Sequence, residues 1–307
     1  MRTLLRRSFA LSALLAASLW SAPPAKRVVS LSAPLAETMY AIGAKDQLVA
    51  VSDVAVFPEQ LVADRKSGRV KELGAFMRPD VEALRALHPD LILTDTGFQR
   101  TLTATLEKEG FRVLHFEPES LEDIFGQMIA VGEAVGHKKQ AEALITKMRA
   151  ERDAIAAKTR RLPKVRVYVE VNHEGPWTTG GKSALNDLLE AAGGQNIFAD
   201  RNDGVFVTTH AQIVQRNPEV ILSPIWIGAK VGGIDGIIPL ADIVRRPGYE
   251  SIAAVQNSRV LYYDSALLKH EGPRQILAIR KLAHILHPDV FPDPPGTIAW
   301  ELGRIQP

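Results

Sequence analysis

The chain contains no cysteine among its 307 residues. This absence excludes disulfide frameworks, iron–sulfur clusters, thiolate zinc sites and cysteine nucleophiles. The sequence also lacks a charge excess of either sign, with 37 Lys and Arg against 35 Asp and Glu, so nothing in it points to a nucleic-acid partner. The 22 Gly and 19 Pro are too few for a collagen-like or low-complexity chain. A hydrophobic content of 46% over this length instead indicates a folded protein of two domains.

Catalytic motifs are also missing. The sequence has no Gly-x-Ser-x-Gly elbow and no Gly-x-Gly-x-x-Gly after a strand, and its two His-Glu pairs lack the second His of a zinc-protease helix. The segment Gly175–Ser183 resembles a phosphate-binding loop, but Pro176 stands where the first Gly of that motif belongs. We therefore expect a binding protein rather than an enzyme, with a phosphate-handling enzyme as the less favoured alternative.

The first 25 residues differ in composition from the rest of the chain. A basic start with Arg2, Arg6 and Arg7 precedes an apolar run over Phe9–Leu19. This run is too short to span a bilayer and is typical of the core of a signal peptide, although a short anchor or a buried helix is the alternative. We expect the mature protein to be periplasmic or otherwise extracytoplasmic.

Two segments of the chain repeat one pattern. Asp80–Leu93 and Thr209–Leu222 each read as a short amphipathic helix, a Pro, an acidic residue and an aliphatic strand. A second pair of similar strands is Arg112–Glu117 and Arg259–Asp264. Because strands that alternate with helices form parallel sheets covered on both faces, the pattern predicts an α/β fold with two Rossmann-like lobes.

A single long helix is predicted between the lobes. Apolar residues recur at three- and four-residue spacing through Lys138–Thr159, and no Gly or Pro interrupts them. A helical linker predicts little relative motion of the lobes. The predicted domains are a signal peptide (1–25), an N-terminal lobe (26–137), the linking helix (138–160), a C-terminal lobe (161–290) and an irregular tail (291–307).

Aromatic residues occur in the loops that follow predicted strands. Ligands of open parallel sheets bind beyond the carboxyl ends of the strands, so these rings are expected to converge on a cleft between the lobes. Such a wall suits a flat, bulky, partly apolar ligand. The alternative is that Phe98 or Trp226 packs against its own lobe. The predicted wall consists of Phe76, Met77, Phe98, Trp177 and Trp226, with Arg78, Arg100 and Lys182 at its rim.

Several motifs, in order, resemble a known family. They are Val28–Ser32 with Glu37, Tyr40–Gly43, Leu73-Gly74, Asp80–Glu82, His88–Leu93, Thr178–Gly180, Ala192–Phe198, Asn217–Leu222 and Arg246–Gly248. The chain from about residue 27 to 290 thereby resembles the class III substrate-binding proteins of bacterial ABC importers, which bind cobalamin, ferric siderophores or haem. The resemblance implies two α/β lobes joined by one helix, no intrinsic cofactor, a monomer, and an ABC permease in the inner membrane as partner.

The pocket pattern is most similar to that of the vitamin B12 receptors. Phe76 and Trp177 match aromatic positions of those proteins and Phe206 lies near a third, whereas Asp95 stands where another aromatic is expected. The resemblance therefore implies cobalamin or a related corrinoid as ligand. A ferric siderophore or haem is the alternative. His173, His210, Tyr263 or His270 could serve an iron porphyrin, whereas Arg78, Arg100 and Lys182 could serve an anionic chelate.

The resemblance also implies a docking surface for the permease. The family docks through one glutamate on each lobe, and Glu82 matches the position on the N-terminal lobe. Ala211 occupies the matching position on the C-terminal lobe, so symmetric docking through two salt bridges is not expected.

Overall fold

A computed structural model of the protein describes residues 23–172, 175–225 and 240–292. Four sequence-based predictions lie wholly or largely outside these residues: the signal peptide, His173, Trp226 and the irregular tail. In the part of the chain that is described, no helix is both long and apolar enough to cross a membrane.

The N-terminal lobe is built around a five-stranded parallel sheet. Its strands run in the order β3-β2-β1-β6-β7, and β4 and β5 form a separate antiparallel hairpin. The strands are β1 (Val28–Ser30), β2 (Leu48–Val51), β3 (Lys71–Glu72), β4 (Gly74–Ala75), β5 (Arg78–Pro79), β6 (Leu91–Asp95) and β7 (Val113–Phe116). The helices are α1 (Ala33–Ala41), α2 (Glu59–Lys66), α3 (Val81–Ala86), α4 (Arg100–Lys108) and α5 (Leu121–Ala134).

The linking helix, α6, spans Lys138–Thr159, as the sequence pattern predicts. Its 22 residues give a rod about 33 Å long. The residues that recur on one face, Ala141, Ile145, Met148 and Ile155, are buried. Ile145, Met148 and Ile155 share a hydrophobic cluster with residues of both α5 and the C-terminal lobe, so the helix is packed along its length rather than free between the lobes.

The C-terminal lobe has a four-stranded parallel sheet in the order β10-β8-β12-β13, with the two-stranded ribbon β9–β11 beside it. Its strands are β8 (Val165–Val169), β9 (Trp177–Thr179), β10 (Gly194–Asn196), β11 (Val205–Val207), β12 (Val220–Ile225) and β13 (Val260–Asp264). Its helices are α7 (Ala184–Ala191), α8 (His210–Arg216), α9 (Leu240–Val244), α10 (Ala253–Gln256), α11 (Ser265–Leu268) and α12 (Gln275–Leu286).

The two sheets share one topology. In the N-terminal sheet β6 lies between β1 and β7, and in the C-terminal sheet β12 lies between β8 and β13. The repeated segments of the sequence form α3 with β6 in one lobe and α8 with β12 in the other, and the second repeat forms β7 and β13. The predicted α/β fold of two parallel-sheet lobes joined by one helix is confirmed.

Candidate functional site: exposed apolar residues at the strand ends

Each sheet has a point where chain connections diverge to opposite sides, between β1 and β6 in one lobe and between β8 and β12 in the other. Open α/β sheets bind ligands outside the carboxyl ends of the strands at such points. The segments that follow these ends therefore define the candidate site.

Exposed apolar side chains form the N-terminal wall. Val56 and Phe57 follow β2, Met77 lies at the tip of the β4–β5 hairpin, and Phe98 follows β6. The rings of Phe57 and Phe98 are 41% and 80% exposed, an unfavourable state for side chains of this size. Phe76, next to Met77, is half-buried. The predicted wall residues Phe76, Met77 and Phe98 thus come together at one edge of the sheet.

Gln99 fixes the position of this wall. Its fully buried side chain donates from Nε2 to the carbonyl oxygens of Phe76 (2.6 Å) and Leu31 (3.2 Å). Its Oε1 accepts the backbone N–H of Asp95 at 2.8 Å. One amide therefore ties the hairpin loop to the ends of β1 and β6, and a buried side chain so fully paired has little freedom to move.

The C-terminal wall is the β9–β11 ribbon. The sequence predicts a loop around Trp177, but the structure places Trp177 at the start of β9, paired with Val207 of β11. Because directly opposed residues point to the same face, Trp177 and Val207 share one face of the ribbon, and Val207 is exposed there. The ring of Trp177 is half-buried and also packs against the main hydrophobic cluster.

Phe206 lies on the other face of this ribbon. It pairs with Thr178, and its ring packs edge-on against Phe198 with centroids 5.5 Å apart. The guanidinium of Arg201 covers the ring at 4.1 Å. The structure therefore does not bring Phe206 together with Trp177 in one wall.

The two lobes meet through Arg274, which precedes α12 of the C-terminal lobe. Its guanidinium donates to both carboxylate oxygens of Glu37 on α1, at 2.9 and 2.6 Å, and lies 4.2 Å from the ring centroid of Phe57. Glu37 is buried, and burial raises its pKa to about 6, although the hydrogen bond from Arg274 acts in the opposite direction. Sequence reasoning missed Phe57 and Arg274; an aromatic after a predicted strand was a signal that could have identified Phe57.

Two further acidic groups, Asp95 and Glu271, lie at the same junction. Asp95, at the end of β6, is buried and accepts a hydrogen bond from Ser32 Oγ at 2.6 Å. Burial raises the pKa of Asp95 to about 6. Burial, and then the negative charge of Asp95, raise the pKa of Glu271 to about 8. At pH 7 the two groups together therefore carry about one negative charge.

The cations predicted at the rim differ in their surroundings. Arg100 forms a bidentate ion pair with Glu117, and Lys182 lies 2.8 Å from Glu119. Arg78 is exposed beside Met77. Of the three predicted cations, two thus have a carboxylate partner that partly neutralises them.

The Gly175–Ser183 segment is not arranged to hold a phosphate. The backbone N–H groups of Gly180, Gly181 and Lys182 donate to carbonyl oxygens of residues 201–204 at 2.8 to 3.1 Å. A Cβ atom on Gly181 would lie 2.4 Å from the carbonyl oxygen of Ala199, so close backbone approach explains the glycine. A phosphate cradle needs free N–H groups, and here they are used inside the fold.

The described histidines show no grouping typical of a metal centre. His210 Nδ1 lies 3.0 Å from the Tyr249 hydroxyl, and His270 is held close to Lys269 and Arg274. Burial, with those two cations, lowers the pKa of His270 to about 4. Among residues 23–172, 175–225 and 240–292, no three His, Asp or Glu side chains are placed to share a metal ion.

Glu82 and Ala211 occupy the same position on two matching helices. Asp80 caps α3 by accepting the N–H of Ala83, and Thr209 caps α8 by accepting the N–H of Gln212. Glu82 and Ala211 are therefore the second residue of their helices, and both are exposed.

The sequence of this chain is similar to the sequences of several known proteins. The sequence matches the profile of the Periplasmic binding protein family over residues 28–267. It is 28% identical over 274 residues to an uncharacterized ABC transporter substrate-binding lipoprotein, YvrC, of Bacillus subtilis, covering 87% of this chain and 81% of that protein. It is also 28% identical over 203 residues to the vitamin B12-binding protein of Yersinia pestis, covering 66% of this chain and 70% of that protein.

Solved structures share the fold. The periplasmic heme-binding protein RhuT from Roseiflexus sp. RS-1 aligns with a TM-score of 0.71 and 22% identity, covering 86% of this chain and 98% of that one. The family and its relatives are solute-binding proteins rather than enzymes, and they indicate an extracytoplasmic location. The two lobes, their shared topology and the match over residues 28–267 establish that this chain belongs to the periplasmic binding protein family.

Proposed function

We propose that the protein captures cobalamin or a related corrinoid between its lobes and delivers it to an ABC-type importer. The observation that carries the proposal is where its exposed apolar side chains lie. Of the large apolar residues exposed in the described chain, all but Val290 belong to the segments at the carboxyl ends of the strands. They are Val56, Phe57, Met77, Phe98, Val205 and Val207. Exposed apolar side chains concentrated in the strand-end segments of both lobes mark a binding surface.

Two acidic groups at the lobe junction, Asp95 and Glu271, are compatible with a corrinoid as ligand. The corrin ring carries amide side chains, which hydrogen-bond to a carboxyl group in either protonation state. The vitamin B12-binding relative supports the same choice.

Haem or a ferric siderophore is the second candidate, because Arg78 is an exposed cation beside the apolar wall. A guanidinium in this position can pair with a ligand carboxylate. The fold shared with the heme-binding protein RhuT is compatible with this candidate.

For delivery, we expect Glu82 to contact a basic group of the permease. The side chain of Glu82 is 90% exposed, and Arg85 lies 3.8 Å from its carboxylate. An exposed pair of this kind is weak, so a basic group of the permease could replace Arg85 at little cost in free energy. On the C-terminal lobe, Ala211 offers no charge, and we expect contact there to depend on shape.

The direct test is titration of the purified protein with cyanocobalamin, haemin and a ferric hydroxamate, followed by absorption spectroscopy and calorimetry. Tight one-to-one binding of cyanocobalamin alone supports the proposal. Preference for haemin or the hydroxamate selects the second candidate, and binding of none of the three contradicts both. Val290→Ala, which removes an exposed apolar group outside the cleft, is the matched control for Phe98→Ala, which removes one from its wall.

A further inference from the structure

Arg274 connects the lobes through two different kinds of contact. It belongs to the C-terminal lobe, yet its bidentate partner Glu37 and the ring under its guanidinium, Phe57, both belong to the N-terminal lobe. The guanidinium is 17% exposed and Glu37 only 4%, so the ion pair is largely shielded from water. A shielded, bidentate pair fixes the plane of the guanidinium far better than a surface pair does.

The backbone around Arg274 is also held against the N-terminal part of the chain. A Cβ atom on Gly272 would lie 3.1 Å from the Cβ of Pro34 in α1, which shows how closely the two segments approach. The amide of Gln127 on α5 donates to the carbonyl oxygen of Glu271. Three contacts, through Gly272, Glu271 and Arg274, thus hold this segment in register with α1 and α5.

Phe57 lies between β2 and α2, outside the strands and helices of its lobe. The residue is 41% exposed although its ring contacts Arg274 of the opposite lobe. A cation 4.2 Å from the ring centroid attracts the ring face through its quadrupole. The exposed part of the residue remains available for contact with a ligand.

We propose that Arg274 is a positioning residue: anchored by Glu37, it holds the ring of Phe57 from across the lobe junction as part of the ligand-binding wall. This inference rests on the proposed function only in naming the wall as the ligand site. It assigns to Phe57 a direct contact with a bulky apolar ligand and to Arg274 an indirect effect through the ring.

The first test needs no ligand. With 4-fluorophenylalanine at position 57, the ¹⁹F resonance should be displaced and broad in the otherwise unaltered protein. In Arg274→Gln it should move towards the unfolded-peptide position and sharpen, because the ring becomes free. The control is Arg280→Gln, which removes an arginine of α12 that pairs with Glu151, and it should leave the resonance in place.

Arg274→Gln alone leaves the buried carboxylate of Glu37 without its ion-pair partner, which could destabilise the fold. The Glu37→Gln/Arg274→Gln double variant removes that carboxylate as well and controls for this effect. It should show the same released ring as Arg274→Gln. An unchanged ¹⁹F resonance in both variants would overturn the proposal.

The second test is a double-mutant cycle on the Kd of cyanocobalamin. Arg274→Gln should weaken binding about tenfold, the effect of one lost cation–π contact, and Arg274→Lys should restore part of it. In a Phe57→Leu background, Arg274→Gln should have no further effect. Additive losses would show that Arg274 acts independently of the ring, and they would overturn the proposal. Failure of the unaltered protein to bind cyanocobalamin would instead reject the proposed ligand, while the ¹⁹F result still decides the role of Arg274.

Discussion

The raised pKa of Glu271 makes a specific prediction about stability. A carboxyl group that titrates near 8 in the folded protein and near 4.5 when unfolded keeps a proton on folding that the unfolded chain has lost. The contribution of Glu271 to the free energy of unfolding is therefore largest at low pH and decreases as the pH rises towards 8. The limiting slope for one proton is about 1.4 kcal/mol per pH unit, so from pH 6.5 to 8 we expect this contribution to fall by about 1–2 kcal/mol.

Other groups with shifted pKa values also contribute between pH 6.5 and 8. Asp95 and Glu37, with pKa values of about 6, act mostly below this range. The pKa of His270 falls from 6.5 to about 4 on folding, and burial also lowers the pKa values of His210 and His287, so these groups raise the free energy of unfolding as the pH rises past 6.5. Burial lowers the pKa of Lys269 to about 8, which acts in the same direction as the pH approaches 8. His270 and Lys269 each oppose the effect of Glu271 by about 0.4 kcal/mol. The contribution of Glu271 is therefore the difference between the wild-type protein and Glu271→Gln.

The assay is urea unfolding at pH 6.5, 7.0, 7.5 and 8.0. Because an amide cannot ionise, the wild-type stability should fall by about 1–2 kcal/mol relative to that of Glu271→Gln between pH 6.5 and 8. Glu82→Gln, which alters an exposed carboxylate, should keep the wild-type pH dependence. A difference between wild type and Glu271→Gln that does not change over this range, or that changes in favour of wild type, would refute the reasoning.

Three further predictions concern the walls and the core. Trp177→Ala should weaken cyanocobalamin binding by about 1–3 kcal/mol in calorimetry, whereas Val290→Ala should not; equal effects would remove Trp177 from the site. Arg246→Met leaves the fully buried Glu170 without its ion-pair partner and should cost about 3–5 kcal/mol in urea unfolding, most of which a second change, Glu170→Gln, should restore. Gly181→Ala forces a Cβ atom against a backbone carbonyl and should destabilise the protein by about 1–3 kcal/mol, measured in the same way; an unchanged midpoint would contradict the packing described.

Local patterns were sufficient to predict the architecture. The helix Lys138–Thr159 was predictable because three- and four-residue spacing and the absence of Gly and Pro are properties of the segment itself. The paired topology was predictable because both lobes repeat a helix, a Pro and a strand. The position of Phe98 followed from its place after a strand, since parallel strands bring their carboxyl ends to one edge.

Features that depend on distant partners were not predictable. The segment around Trp177 becomes a strand only because Val205–Val207, far along the chain, pairs with it, and that pairing turns Phe206 to the opposite face. The contact of Arg274 with Glu37 joins residues 237 positions apart, and no local sequence pattern indicates a contact at such a separation. The raised pKa of Glu271 likewise depends on burial across the lobe junction.

The central claim is that one ligand is held by walls from both lobes. Hydrogen–deuterium exchange with and without saturating cyanocobalamin tests it most directly. The account predicts slower exchange in the segments around Phe57, Met77 and Phe98 and in those around Trp177 and Val207. Protection confined to one lobe, or none at all, would contradict it.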